Sequence, residues 1–221
     1  MFFKQFYDNN LSQASYLVGC QRTGEAIIID PVRDLTKYME VADSEGFTIT
    51  QAAETHIHAD FASGIRDVAE QLNANVYVSG EGDDELSYRN MPEQTHFVKH
   101  QDIIHVGNIK LEVLHTPGHT PESISFLLTD EGGGSSVPMG LFSGDFVFVG
   151  DIGRPDLLEK SVQMEGSTEV SAKQMYQSIE SVKDLPDYIQ IWPGHGAGSP
   201  CGKALGAVPM STLGYEKINN W

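Results

Sequence analysis

The sequence predicts a layered α/β sandwich. Two observations carry it: strand-like apolar runs fill both halves of the chain, and apolar stripes at helical spacing interrupt them. A third observation bears on function, because polar clusters fall where the predicted strands stop. The 40% hydrophobic content is enough for one substantial core. No repeat, low-complexity tract or linker divides the chain, so residues 1–221 are read as a single domain.

"ASYLVG" and "EAIIID" read as two strands separated by the turn-like "CQRTG". "DLTKYMEVADSEG" follows with helical spacing, placing Leu35, Met39 and Ala42 on one face, and Gly46 closes it. "FTITQAAE" is a strand running directly into "THIHADF". Ala62 to Leu72 is the next helix, with Ile65, Val68, Ala69 and Leu72 as its stripe, and "ANVYVSG" is another strand. After residue 100 strands dominate: "IKLEVLHT", "SISFLLTD" and "VPMGLFSGD", with "EGGGSS" looping between the last two. "SAKQMYQSIESVKDL" is a late helix and "YIQIWPGH" a late strand.

Net charge is -17, from 31 acidic against 14 basic side chains. That balance argues against a nucleic-acid binder, although a local cationic cluster can still receive an anionic small molecule. Cys20 and Cys201 are the only cysteines. They make no disulfide framework and fit a reducing compartment. "MFFKQFYDNN" turns polar too early for a signal-peptide core, and no apolar run approaches a membrane span. The expected location is the cytoplasm, away from membranes.

"THIHAD", "HTPGHT", "SGD" and "PGHG" each follow a predicted strand, so His56, His58, Asp60, His119, Asp145 and His195 form a candidate metal-binding rim. Alternate residues of an extended segment point to one side, which suits "HIHAD". Phe61 stands where a further histidine would complete a second metal site. It also continues the apolar stripe of the following helix. His96, His100, His105 and His115 are read as ordinary hydrogen-bonding residues, and Cys20 as structural. Cys201, in "GSPCGK", is either an inert loop residue or a thiol near the metal that exchanges sulfur, with Lys203 favouring its thiolate. Arg154 and Asp156 read first as a pair fixing their loop, and Arg154 secondly as a substrate contact. Arg66 faces either solvent or an anionic substrate.

"THIHAD", "HTPGHTPES", "FSGDFVFVGDIGRPDL" and "IWPGHG" occur in the order found in the metallo-β-lactamase superfamily. Within it the chain resembles the persulfide dioxygenases, the family of the ethylmalonic-encephalopathy protein. "GAGSPCGKALGAVPMSTLGYEK" extends the resemblance to bacterial persulfide dioxygenase–sulfurtransferase fusion proteins, in which a rhodanese-type region follows. The resemblance implies a four-layer αββα sandwich holding one iron(II) per chain. His56, His119 and Asp145 match the three iron ligands, while His58 and Asp60 match supporting groups. His195 and Cys201 are the candidate catalytic residues, and Arg154, Lys203 and Arg66 the candidate substrate contacts. The implied reaction oxidises low-molecular-weight thiol persulfides with O2 to sulfite and thiol, in sulfide detoxification, by a homo-oligomer. The commoner dioxygenase pattern retains a histidine at position 61, so the surroundings of the centre must differ here. Two competing readings stand beside it. A binuclear-zinc thioester hydrolase of the glyoxalase II type needs the second metal that Phe61 disfavours. An electron-transfer partner of a flavin domain needs a carboxylate-rich two-iron motif that "THIHADF" does not supply.

Overall fold

The computed structural model describes residues 1–82, 86–161, 166–203 and 205–220; Ala204, inside a stretch quoted above, lies outside these. The first half runs β1 (Phe2–Asp8), β2 (Gln13–Cys20), β3 (Glu25–Ile29), α1 (Thr36–Glu45), β4 (Thr48–Ala53), α2 (Ile65–Leu72), β5 (Asn75–Ser79) and β6 (Thr95–Val98). The second half runs β7 (Ile103–Val106), β8 (Ile109–His115), β9 (Ile124–Asp130), β10 (Gly140–Gly144), α3 (Leu157–Ser161) and α4 (Ser167–Val182). It closes with β11 (Gln190–Pro193), β12 (Ser211–Thr212) and α5 (Leu213–Asn219).

Strands β1 to β6 form one six-stranded sheet and β7 to β12 a second. In the first, β1, β2 and β3 pair antiparallel, and β3 through β6 are parallel. Helices α1 and α2 are therefore crossovers between parallel neighbours. In the second, β7 through β10 are antiparallel, and α3 and α4 lie on the crossover from β10 to its parallel neighbour β11.

Side-chain alternation makes the layers. Tyr16, Val18, Ile27 and Ile29 point between the sheets, while Leu17, Ala26 and Ile28 point at α1 and α2. Likewise Phe126 and Leu128 face inward, and Leu127 joins Leu141, Ile191 and Met175 of α4 on the opposite side. Both faces of both sheets are covered, giving the αββα sandwich expected of the sequence. Among the described residues no helix is long and apolar enough to cross a membrane.

Two local expectations are corrected. The buried face of α1 carries Tyr38 and Ala42, whereas Met39 is 39% exposed. The stripe runs 35, 38, 42, and residue 39 falls a further hundred degrees around the helix. Helix α2 starts at Ile65, not Ala62. Gly64 donates its N–H to the Pro31 carbonyl at 2.7 Å and Ser63 bridges to Val32, which holds this segment to the exit of β3. A Cβ on Gly64 would lie 2.3 Å from the Val32 carbonyl oxygen, so the approach requires glycine. Phe61 is thereby outside the helix and its stripe.

Candidate metal centre

Each ligand candidate sits just past a strand end. His56 follows β4, His119 follows β8, Asp145 follows β10 and His195 follows β11. The two sheets are clasped at this edge: Ala14 donates its N–H to the Gly194 carbonyl at 2.8 Å, and the Tyr16 hydroxyl donates to the Pro193 carbonyl at 2.7 Å. Loops from both sheets thus meet on a rigid frame.

Three buried acceptors converge there. His56 Nε2 lies 3.9 Å and His119 Nε2 3.4 Å from Asp145 Oδ2. Neither oxygen of Asp145 has a hydrogen-bond partner. Metal–ligand bonds of about 2.0–2.2 Å separate neighbouring ligands by about 3–3.6 Å, so one cation fits among these atoms after a slight contraction. The protonation states agree. Thr55 gives its hydroxyl proton to Asp30 Oδ2 at 2.9 Å, so the His56 Nδ1–H donates to Thr55 Oγ1 at 3.0 Å and Nε2 keeps its lone pair. Burial, then the nearby His58, holds His56 well below its usual range, and burial lowers His119 as well. Burial disfavours the Asp145 charge, but His195, His56 and His119 outweigh it and hold the carboxyl below its ordinary value. Neutral imidazoles with an ionised carboxylate are the states a divalent cation requires.

His58 is turned away from this point. Its Nε2 lies 3.3 Å from Asp30 Oδ1 and 3.9 Å from Glu54 Oε1. Burial opposes its charge, but the Asp30 hydrogen bond and the Asp30 and Glu54 carboxylates overcome this and raise it to about 9. Burial raises Glu54 to about 7, with His58 pulling the other way. The Phe61 ring lies 4.3 Å from the His58 ring, so it walls this histidine instead of packing in the core. Asp30, which receives bonds from the Thr55 N–H and hydroxyl, is the residue sequence reasoning missed. Its signal was present: it ends the strand "EAIIID", as the other site residues end theirs.

On the far side of Asp145, His195 Nε2 lies 3.2 Å from Asp60 Oδ2 and 3.5 Å from Asp145 Oδ1, while its Nδ1 meets the Ser12 carbonyl at 3.2 Å. Cys201 is buried beside them. Burial, then the Asp145 and Asp60 carboxylates, pushes its thiol up, so the balance here runs against the Lys203-favoured thiolate. The Lys203 N–H donates to Asp151 Oδ2 at 2.6 Å, and its side chain is exposed. Arg154 forms a two-pronged pair with Asp156 at 2.9 and 3.0 Å, and its N–H donates to the Cys201 carbonyl at 3.0 Å. It ties the Cys201 loop to the "GRPD" turn. Arg66 donates to the Arg89 and Asn90 carbonyls and lines a pocket of about 310 Å³ with Glu54, His58 and Tyr88. His96, His100 and His115 make the hydrogen bonds expected of them, to Asn75, the His115 N–H and the Pro121 carbonyl.

A family model described as "Metallo-beta-lactamase superfamily" matches residues 8–195. A solved metallo-beta-lactamase from Staphylococcus aureus subsp. aureus COL is 76% identical with a TM-score of 0.94, covering 100% of this chain and 62% of that one. ETHE1 from Myxococcus xanthus is 30% identical with a TM-score of 0.77, covering 100% of this chain and 83% of its own. A hydroxyacylglutathione hydrolase from Polaromonas sp. (strain JS666) is 31% identical over 82% of this chain and 61% of its length. The "Probable polyketide biosynthesis zinc-dependent hydrolase PksB" of Bacillus subtilis (strain 168) is 27% identical over 81% of this chain and 71% of its length. The chain thus spans less than two thirds of the Staphylococcus and Polaromonas proteins.

Proposed function

Because the chain belongs to the metallo-β-lactamase superfamily, we propose that His56, His119 and Asp145 hold one iron(II) and that the protein oxidises low-molecular-weight thiol persulfides. The carrying observation is the ligand set itself: two neutral imidazoles and one carboxylate converge, while His58 is committed to Asp30 and Phe61 replaces a further ligand. Two histidines and one carboxylate with open positions suit non-haem iron(II) oxygenation. Iron bound there would supply the open coordination positions and redox capacity that bring O2 and sulfur together. One persulfide, one O2 and one water then give thiol, sulfite and two protons, the terminal sulfur yielding four electrons to O2.

The chain's own residues arrange this reaction. Thr55 and Asp30 fix the His56 ring, and burial keeps water from the ligands. Cys201 and His195 lie beside Asp145, where the thiol can exchange sulfur with a persulfide and the imidazole can hold a proton. Arg154 positions the Cys201 loop, and Arg66 and Lys203 offer positive charge to an anionic carrier. The setting would be cytoplasmic and homo-oligomeric, with a sulfurtransferase consuming the product. The ETHE1 likeness supports this branch. The hydroxyacylglutathione hydrolase likeness favours a two-zinc thioester hydrolase as the second reading.

Anaerobic loading with iron(II), followed by oxygen uptake and sulfite release over a panel of thiol persulfides, tests the proposal. Equimolar oxygen consumption and sulfite formation are expected. Iron-replete protein inert toward every persulfide, with zinc-loaded protein cleaving acyl-glutathione thioesters, would establish the second reading.

A further inference from the structure

Asp145 stands at the root of a hairpin whose tip is held by α5. The hairpin runs from Phe146 to Gly153. Val147 bridges to Ile152, Phe148 donates its N–H to the Asp151 carbonyl at 2.9 Å, and Gly150 makes the turn at φ 75°. The returning strand closes on Asp145 itself, because a Cβ on Gly153 would lie 1.7 Å from the Asp145 carbonyl oxygen. At the tip the Gly150 N–H donates to Glu216 Oε2 at 2.8 Å. Asn220 donates from Nδ2 to that same oxygen and to the Asp151 carbonyl, both at 2.8 Å. Glu216 lies in α5 and Asn220 just past its end. The helix is in turn fixed to the entry of β11, where Leu213 and Gly214 donate their N–H groups to the Ile189 and Asp187 carbonyls at 2.8 and 2.9 Å.

The same hairpin holds the Cys201 loop. Gly206 donates its N–H to the Val149 carbonyl at 2.8 Å, Lys203 to Asp151 Oδ2 at 2.6 Å, and Arg154 to the Cys201 carbonyl at 3.0 Å. We propose that Glu216 and Asn220 are positioning residues: through this hairpin they set the Asp145 carboxylate and keep the Cys201 thiol closed in beside it. Burial of Glu216 supports a role beyond helix packing. The residue is 4% exposed, and its Oε1 has no hydrogen-bond partner. A buried carboxylate costs free energy that hydrogen bonds to one of its oxygens only partly offset. Docking the helix needs only apolar contact, which Leu213 already makes with the core around Ile189 and Ile191. What Glu216 adds is a grip on the backbone of the Asp145 hairpin. The proposal rests on Asp145 being a metal ligand, but not on which metal it holds or which reaction follows.

Two measurements on the folded protein test the latch without any activity assay. One is cobalt(II) affinity, with the visible spectrum of the bound ion. The other is the rate at which N-ethylmaleimide alkylates Cys201 in metal-free protein, located by peptide mass. Cys20, buried beside Asn108 at a distance from the hairpin, is the internal reference for general loosening. Asn220→Ala and Glu216→Leu should each weaken cobalt binding about tenfold and shift its spectrum, the scale of disturbing a ligand's support. Both should alkylate Cys201 about tenfold faster, as local opening requires, with the Cys20 rate unchanged. Glu216→Gln, whose amide oxygen can accept both hydrogen bonds, should match wild type. Leu213→Ala, which loosens α5 without touching the hairpin, should lower the urea midpoint and leave both readouts at wild-type values. Unchanged affinity and alkylation in Asn220→Ala would overturn the proposal. So would a change confined to one of the two readouts, or Leu213→Ala reproducing both. Wild-type protein that binds no cobalt would overturn the metal reading instead, and the Cys201 rates alone would then decide the latch.

Discussion

Asp30 takes a left-handed backbone conformation, φ 52°, just beyond β3, and there it faces Thr55 and His58 together. Because His58 is raised to about 9 from 6.5, its partners stabilise the folded state fully below pH 6.5, and that stability is lost as pH rises through 9. Glu54, raised to about 7 from 4.5, has the same sign over a lower window. The metal-free protein should therefore lose stability on going from pH 6.5 to 9. The His58 share is on the order of 2–3 kcal/mol at about 1.4 kcal/mol per pKa unit. Urea unfolding at several pH values measures it. Asp30→Asn should flatten this decline, and equal wild-type stability at pH 6.5 and 9 would refute the account. The sequence exposed His56, His119 and Asp145 because metal ligands must be a few residue types in dense clusters. It concealed Asp30 because a lone aspartate at a strand end has many uses, and only the fold brings it under the "THIHAD" turn.

The parallel pair β10–β11 carries the site at the level of elements, since it sets Asp145 beside His195. Gly194 donates its N–H to the Gly144 carbonyl at 2.9 Å, and a Cβ there would lie 2.7 Å from Asp145 Oδ1. Gly194→Ala must therefore displace the carboxylate. Metal affinity should fall about 10–100-fold, the usual cost of disturbing a ligand's support, while the far-ultraviolet spectrum stays native. Competition with a chromogenic chelator reads this directly, and unaltered affinity would contradict the geometry. Elements with long apolar runs, such as "EAIIID" and "SISFLLTD", were legible because burial on both faces needs continuous hydrophobicity. The strands toward the sheet edges were not. β1 splits its aromatics, with Phe3 packed between the sheets and Phe2 and Phe6 against the helix layer. β6 and β7 span only four residues each, and β7 exposes Ile103 and His105. Such segments carry too little pattern to stand apart from loops.

Over the whole molecule the ligands come from both sheets: His56 leaves the first, and His119 and Asp145 leave the second. A cation at this centre is consequently a cross-link between the two halves of the sandwich, added to the core of Tyr16, Phe126, Phe142 and Trp192 that already joins them. A net charge of -17 adds a long-range attraction for divalent cations, which salt screens. Since the unfolded chain scatters the ligands, binding free energy appears as folding free energy. At a hundredfold excess over Kd the gain should be about 2.7 kcal/mol. Urea unfolding with metal and with chelator should show a single transition in both cases, with a higher midpoint and an unfolding free energy greater by that amount when metal is present. His56→Ala should lose this gain at the same metal concentration, because only the second sheet's ligands remain. A midpoint indifferent to chelation would show that the centre does not bind metal across the sheets. A transition that splits in two on chelation would show that the apolar core alone does not hold the halves as one cooperative unit.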